Sequence, residues 1–150
     1  MKKIILFVLL SVSLFATQYK VIYNLQSGDD VKVKASILKG IPALQEHYNA
    51  QGDSLSVVVI ISNQSYKYFI EDAKNTSDIE KNLVLKSQEK FSQAMQKLAK
   101  SGVRFEICSA GMKKHQIEKE ILYSYVHPAF NRTASLINWQ NKGYGVIDIL

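Results

Sequence analysis

Leu55-Ser56-Val57-Val58-Val59-Ile60-Ile61 is the stretch that most restricts the fold. It is a nearly continuous apolar run, rich in β-branched residues, between Gln51-Gly52-Asp53 and the polar Ser62-Asn63. Branching at Cβ favours extended backbone, and a strand without polar alternation must be covered on both faces. Such strands belong to parallel sheets, whose crossover connections lay helices over them. The rest of the chain supplies those crossovers.

Tyr19-Lys20-Val21-Ile22-Tyr23-Asn24-Leu25 reads as the first strand, and Gln26-Ser27-Gly28-Asp29-Asp30 as a turn with a helix N-cap. From Val31, apolar residues at Ala35, Ile37, Leu38, Ile41, Leu44 and Tyr48 predict a helix to about Asn49, bent by Pro42. After the Leu55–Ile61 strand, Gln64 to Asp72 predicts a short helix, and the capping box at Ser77-Asp78-Ile79-Glu80 a second one from Asp78 to about Lys86. Ser87 to Lys100 is a clearer helix, with Phe91, Ala94, Met95 and Leu98 on one face and Gly102 as its C-cap. Val103, Phe105 and Ile107 alternate in a strand that ends at Cys108, and a helix from about Gly111 to Leu122 follows, with Met112, Ile117 and Ile121 inward. Tyr123 to His127 predicts a fourth strand stopped by Pro128, which suits the first turn of the next helix. That helix carries Phe130, Ala134, Ile137 and Trp139 or Gln140 on its buried side and closes at Gly143, before the final strand Tyr144–Ile149. Strands alternating with helices specify an α/β fold, a three-layer α/β/α sandwich on a mainly parallel five-stranded sheet.

The first residues, Met1-Lys2-Lys3 and then Ile4 to Ala16, have the basic n-region, apolar h-region and small terminal residue of a secretory signal peptide. The expectation is cleavage after Ala16, a single domain over residues 17–150, a periplasmic location and no stable membrane insertion afterwards; an uncleaved anchor is the rival. The formal charge of +6 includes Lys2 and Lys3, and the remaining lysines are interleaved with acids. Solvated helix faces explain that pattern better than a nucleic-acid stripe does, so no nucleic-acid partner is expected.

One cysteine in 150 residues excludes an intramolecular disulfide. Cys108 is therefore a buried small hydrophobe, an intermolecular bridge or a reactive thiol. Its place at the carboxyl end of a strand, before a helix, is where open α/β sheets hold their ligands. There the first free N–H groups of the helix favour a thiolate. By the same placement Asn24, Asn63, Ser109, Gly111, His115 and His127 are candidates to line a crevice with it. Lys113 and Lys114 are better read as a solvated helix face. His115 returns to the cysteine's side only if the helix begins at Cys108. His47 has no partner motif. Tyr66, Tyr68, Phe69 and Trp139 fit core or subunit-interface packing. One cysteine and three widely spaced histidines offer no metal-ligand spacing, and no nucleotide-binding or hydrolase motif occurs, so no metal and no cofactor are expected.

The chain resembles the DsrE/DsrF-like sulfur-relay family, in particular its small exported branch. The resemblance is carried by Lys20-Val21-Ile22-Tyr23-Asn24, by Leu98-Ala99-Lys100-Ser101-Gly102-Val103-Arg104-Phe105-Glu106-Ile107-Cys108 and by Trp139-Gln140-Asn141-Lys142-Gly143-Tyr144-Gly145-Val146-Ile147. It implies a three-layer fold that forms homo-oligomers, with the residue at Cys108 carrying persulfide, and a sulfur donor or acceptor protein, or a small sulfur compound, as partner. Ala110-Gly111 stands where this branch has an asparagine-threonine pair, and Ser62-Asn63 replaces a glycine after the second strand. The expected function is a sulfur carrier using Cys108. Its competitor is an oligomeric small-ligand-binding module in which Cys108 is packing, and a redox-sensing thiol is the third reading. Solvent access to the sulfur separates them.

Overall fold

The computed structural model describes residues 16–71 and 88–150. The signal-peptide stretch and the helix expected over Asp78–Lys86 lie outside the described residues. The elements are β1 (Gln18–Leu25), α1 (Asp30–Val33), a π-helical segment (Lys34–Lys39), α2 (Gly40–Asn49) and β2 (Ser54–Ile61). A 3-10 turn (Asn63–Tyr68), α3 (Gln88–Lys100), β3 (Arg104–Cys108) and α4 (Ser109–Lys114) come next. A second 3-10 turn (Lys119–Ile121), β4 (Val126–Ala129), α5 (Arg132–Gln140) and β5 (Gly145–Ile149) complete the described order.

The strands run β4-β3-β2-β1-β5 across one sheet, and every neighbouring pair is parallel. Alternation along the strands divides the core in two. On one face Tyr23, Leu25, Val57, Val59, Ile61, Phe105 and Ile107 pack with Val33, Ile37, Ile41, Met95 and Leu98 from the helices. On the other, Ile22, Val58 and Ile60 lie beneath Leu136, Trp139 and Tyr144. The second face is the thinner one, and its hydrophobic cluster does not extend to β3.

The predicted helix after β1 is present, and Asp29 caps it by accepting the N–H groups of Val31 and Lys32. Pro42 is accommodated by a widened turn. Proline lacks a donor and crowds the carbonyl four residues earlier. The π-helical segment lies just before it, where Gly40 N–H reaches back to Ala35 O.

Three other expectations are corrected. The helix predicted over Gly111–Leu122 ends at Lys114, because Gln116 takes a left-handed conformation with φ +55. Ile117 N–H then bonds Met112 O, and Gln116 N–H bonds Lys113 O, which together close a Schellman motif. Met112, Ile117 and Ile121 are nonetheless buried as expected. The fourth strand is Val126–Ala129 rather than Tyr123–His127, with Pro128 inside it. An edge strand tolerates proline, since an outward N–H has no ladder partner to lose. The following helix starts at Arg132, with the Asn131 side chain accepting Ala134 N–H. Its inward residues are Ser135, Leu136 and Trp139, while Phe130 and Ile137, expected inside, are 81% and 53% exposed.

α3 ends with the same bond pattern as α4. Val103 N–H bonds Leu98 O, Gly102 N–H bonds Ala99 O, and Gly102 has φ +94. A side chain in this conformation costs roughly 1–2 kcal/mol that glycine avoids. Substitutions at the two equivalent positions should therefore act in opposite directions. Gly102→Ala is expected to destabilise by about 1 kcal/mol, and Gln116→Gly to stabilise by roughly 0.5 kcal/mol after glycine's larger unfolded-state entropy is offset. Urea midpoints at constant m-value check both signs.

Candidate functional site

β3 delivers two chemically distinct groups to the second face of the sheet. Its inward partners Phe105 and Ile107 are fully buried in the larger core, so Glu106 and Cys108 project from the opposite side of the pleat. Cross-strand register sets Glu106 in a row with Ile60, Asn24 and Asp148 on one side and His127 on the other. Cys108 lies level with Ala129 at the strand's end.

Cys108 caps α4. Its backbone is still extended (φ −68, ψ 105), and Gly111 N–H donates to Sγ at 3.4 Å. Tyr66, from the 3-10 turn after β2, donates its phenol to Cys108 O at 3.3 Å. Burial first, and the neighbouring Cys108 second, hold the Tyr66 phenol above its ordinary pKa, so it remains a neutral donor. The Tyr66 ring lies 5.6 Å from the His115 ring. Because the helix does begin at the cysteine, His115 comes back to this neighbourhood as the sequence condition required. Gly111 is what lets Tyr66 approach: a Cβ there would sit 1.7 Å from the phenol oxygen. The glycine that departs from the branch's asparagine-threonine pair thus has a steric reason. Cys108 is only 8% exposed.

Glu106 is the group that sequence reasoning missed. It is 8% exposed, and its carboxylate accepts Arg104 Nε–H at 2.7 Å on Oε1 and Trp139 Nε1–H at 3.0 Å on Oε2. The Ser135 hydroxyl donates to Oε2 as well. Burial pushes the carboxyl pKa up, but donation from Ser135, Arg104 and Trp139 outweighs it, and the net displacement is downward. A cleft of ≈ 530 Å³ opens beside this cluster, between α5 and the β3–β4 edge.

The remaining candidates scatter. Asn24 is buried and donates to Asp148 Oδ1 at 2.6 Å, leaving its own Oδ1 without a partner among the described residues. Asn63 has φ +56 and donates to Gln26 Oε1 at 2.8 Å, at a second cleft near the carboxyl ends of β1 and β2. His127 is exposed on the edge strand, level with Glu106. Ser109 is half-buried in the first turn of α4, and Lys113 and Lys114 are exposed. His47 is exposed on α2 with its ring against Tyr48. Cys108, Ser109, Gly111 and His115 are brought together at α4, whereas Asn24 is tied to Asp148, Asn63 to Gln26, and His127 lies exposed on the edge strand. Among the described residues no group of three acidic, histidine or cysteine side chains is arranged to hold a metal ion, and no helix is long and apolar enough to cross a membrane.

A model of the DsrE/DsrF-like family matches residues 43–149, from within α2 to the end of β5. The chain belongs to the DsrE/DsrF-like family. No curated protein sequence matches it. Among solved structures it is similar to the protein of unknown function MTH1491 from Methanobacterium thermoautotrophicum, with a TM-score of 0.67 and 18% identity. That likeness covers 87% of this chain and 99% of the other, and it bears on the fold. The five-stranded parallel sheet with its helices is thus the fold of this DsrE/DsrF-like protein, as its sequence led one to expect.

Two outcomes follow from the geometry of this family member. Gly111→Ala is expected to cost about 1–3 kcal/mol through overpacking against Tyr66. Tyr66→Phe in that background restores only part of it, because the ring carbon Cζ remains 2.8 Å from the new Cβ; a double-mutant cycle in urea measures this. For Glu106, a folded pKa below the ordinary 4.5 means the stabilisation is fully present above that value and disappears as pH falls through the folded one. Between about pH 5 and pH 3 the wild type should therefore lose stability more steeply than Glu106→Gln, as followed by chemical denaturation across that range.

Proposed function

We propose that this chain is a sulfur-transfer protein of the DsrE/DsrF type, with Cys108 as the thiol that carries sulfane sulfur. The observation that carries the proposal is the Gly111 N–H aimed at Sγ at the start of α4, in a chain whose family is established. A backbone donor on sulfur fixes the position of Sγ and can hold the sulfur of a persulfide in the same way. In the loading step the Cys108 thiolate attacks the outer sulfur of a donor persulfide. A new S–S bond forms at Cys108, the donor's S–S bond breaks, and the donor leaves as a thiolate. Unloading is the same exchange onto an acceptor thiolate, with no net oxidation. Tyr66 and Gly111 hold the sulfur's neighbourhood in place and take no proton in either step.

The 8% exposure of Cys108 weighs for a second reading, an oligomeric small-ligand-binding module in which Cys108 is packing. The cleft beside Glu106 is not lined by the cysteine. Homo-oligomerisation belongs to both readings. Supporting it, Val146 and Ile147 are exposed on the edge strand β5, which carries neither proline nor lysine to discourage pairing. Export to the periplasm is part of the proposal and rests on the basic and apolar residues that open the sequence.

Mass spectrometry after treatment of the folded protein with a mild sulfane-sulfur donor distinguishes the readings. The carrier gains the mass of one sulfur atom at Cys108, the gain is reversed by a thiol acceptor, and Cys108→Ala abolishes it. A protein that stays unmodified, with a thiol that resists alkylation until denatured, is the packing version.

A further inference from the structure

We propose that the cleft between α5 and the β3–β4 edge binds a small amphipathic organic anion, held at its acidic group by Arg104 and Lys142 and at its apolar part by Phe130 and Trp139. The inference stands apart from the sulfur reading. The cleft, at ≈ 530 Å³, is within the range of small-molecule sites. Its charges do not cancel. Arg104 and Lys142 both line it, against the single carboxylate of Glu106. That carboxylate is already occupied by Ser135, Trp139 and Arg104 Nε. Among the described residues neither the terminal guanidinium nitrogens of Arg104 nor the Lys142 ammonium has an acidic partner.

Both cations are instead collected on one indole. Lys142 Nζ stands 4.4 Å from the Trp139 ring centroid, and Arg104 Cζ 5.9 Å from it. The indole is itself fixed, by its bond to Glu106 and by edge-on packing with Tyr144 at 4.9 Å. The buried carboxylate thus holds Arg104 through Nε in the wall of the cleft, which lowers the ordering cost of binding an oxyanion. Asn138 adds an amide to the lining. At the mouth, Phe130 leaves a large apolar side chain 81% exposed, which a purely polar ligand would not use. Convergent cations, a fixed aromatic plane and an exposed phenyl ring together describe an acidic head joined to an apolar body.

Phenyl phosphate is a suitable probe, and Trp139, the sole tryptophan, is the reporter. Titration of the purified chain is expected to give a saturable fluorescence change with phenyl phosphate, weakened by added salt. Inorganic phosphate should bind more weakly, and benzyl alcohol should give no saturable change. Lys142→Gln, which leaves the Glu106 bonds intact, should weaken phenyl phosphate about tenfold without altering the circular dichroism spectrum. Phe130→Ser should weaken phenyl phosphate and leave inorganic phosphate unaffected. The proposal is overturned if phenyl phosphate gives no saturable change, if benzyl alcohol matches it, or if Lys142→Gln binds as tightly as the wild type.

Discussion

The arrangement of the second face depends on one buried carboxylate. Removing an ionised Glu106 from water costs several kcal/mol unless its oxygens are fully engaged, and three side chains from two elements engage them. Arg104 comes from the same strand, whereas Ser135 and Trp139 come from successive turns of α5. The charge therefore dictates how that helix rotates about its axis. Ser135 must face the sheet, Trp139 must follow it, and Phe130 and Ile137 are turned outward as a result. A buried ion pair of this kind is weak evidence for overall stability, since an apolar replacement often does as well. What it provides here is a defined orientation for α5.

The two faces of the sheet accordingly differ in kind. One is an apolar core closed by the long helical stretch from Asp30 to Asn49 and by α3, and it anchors the inward side chains of every strand. The other has a small apolar patch and a row of Asp148, Asn24, Ile60, Glu106 and His127 that is polar except at Ile60. Cys108 sits where these meet: its strand is held by Phe105 and Ile107 in the large core, its side chain belongs to the polar face, and its helix is closed over it by Tyr66 and Gly111. The ≈ 530 Å³ cleft beside Glu106 opens on the face whose apolar packing is the smaller.

The parts of this structure that local chemistry determines were readable from the residues alone. The apolar run at Leu55–Ile61, the three- and four-residue spacing after Val31 and the glycines at 52, 102 and 143 each point to one local conformation. The sheet and the limits of most elements follow from them. Gln116 shows the boundary of that logic. It performs the task of Gly102, yet a glutamine carries no sign of a left-handed turn, so α4 read as twice its length. The inward face of α5 was illegible for a different reason. Apolar spacing selects Phe130, Ala134 and Ile137, and only a carboxylate brought from a distant strand makes Ser135 the inward residue. Alternation in Val103-Arg104-Phe105-Glu106-Ile107 assigns one face of β3 but does not say what covers the other. At the candidate site, the cysteine and its helix start were visible, whereas Tyr66 and Glu106 reach their places through contacts across more than twenty residues of chain.

Titration of the Glu106 side-chain carboxyl by carbon-detected NMR, in the folded protein with and without Ser135→Ala, shows whether this carboxylate orients α5. If this carboxylate is the ionised anchor of α5, its pKa lies below that of an ordinary glutamate and rises when the Ser135 donor is removed. A Glu106 that titrates at or above the ordinary glutamate range, or that is indifferent to Ser135→Ala, does not anchor α5.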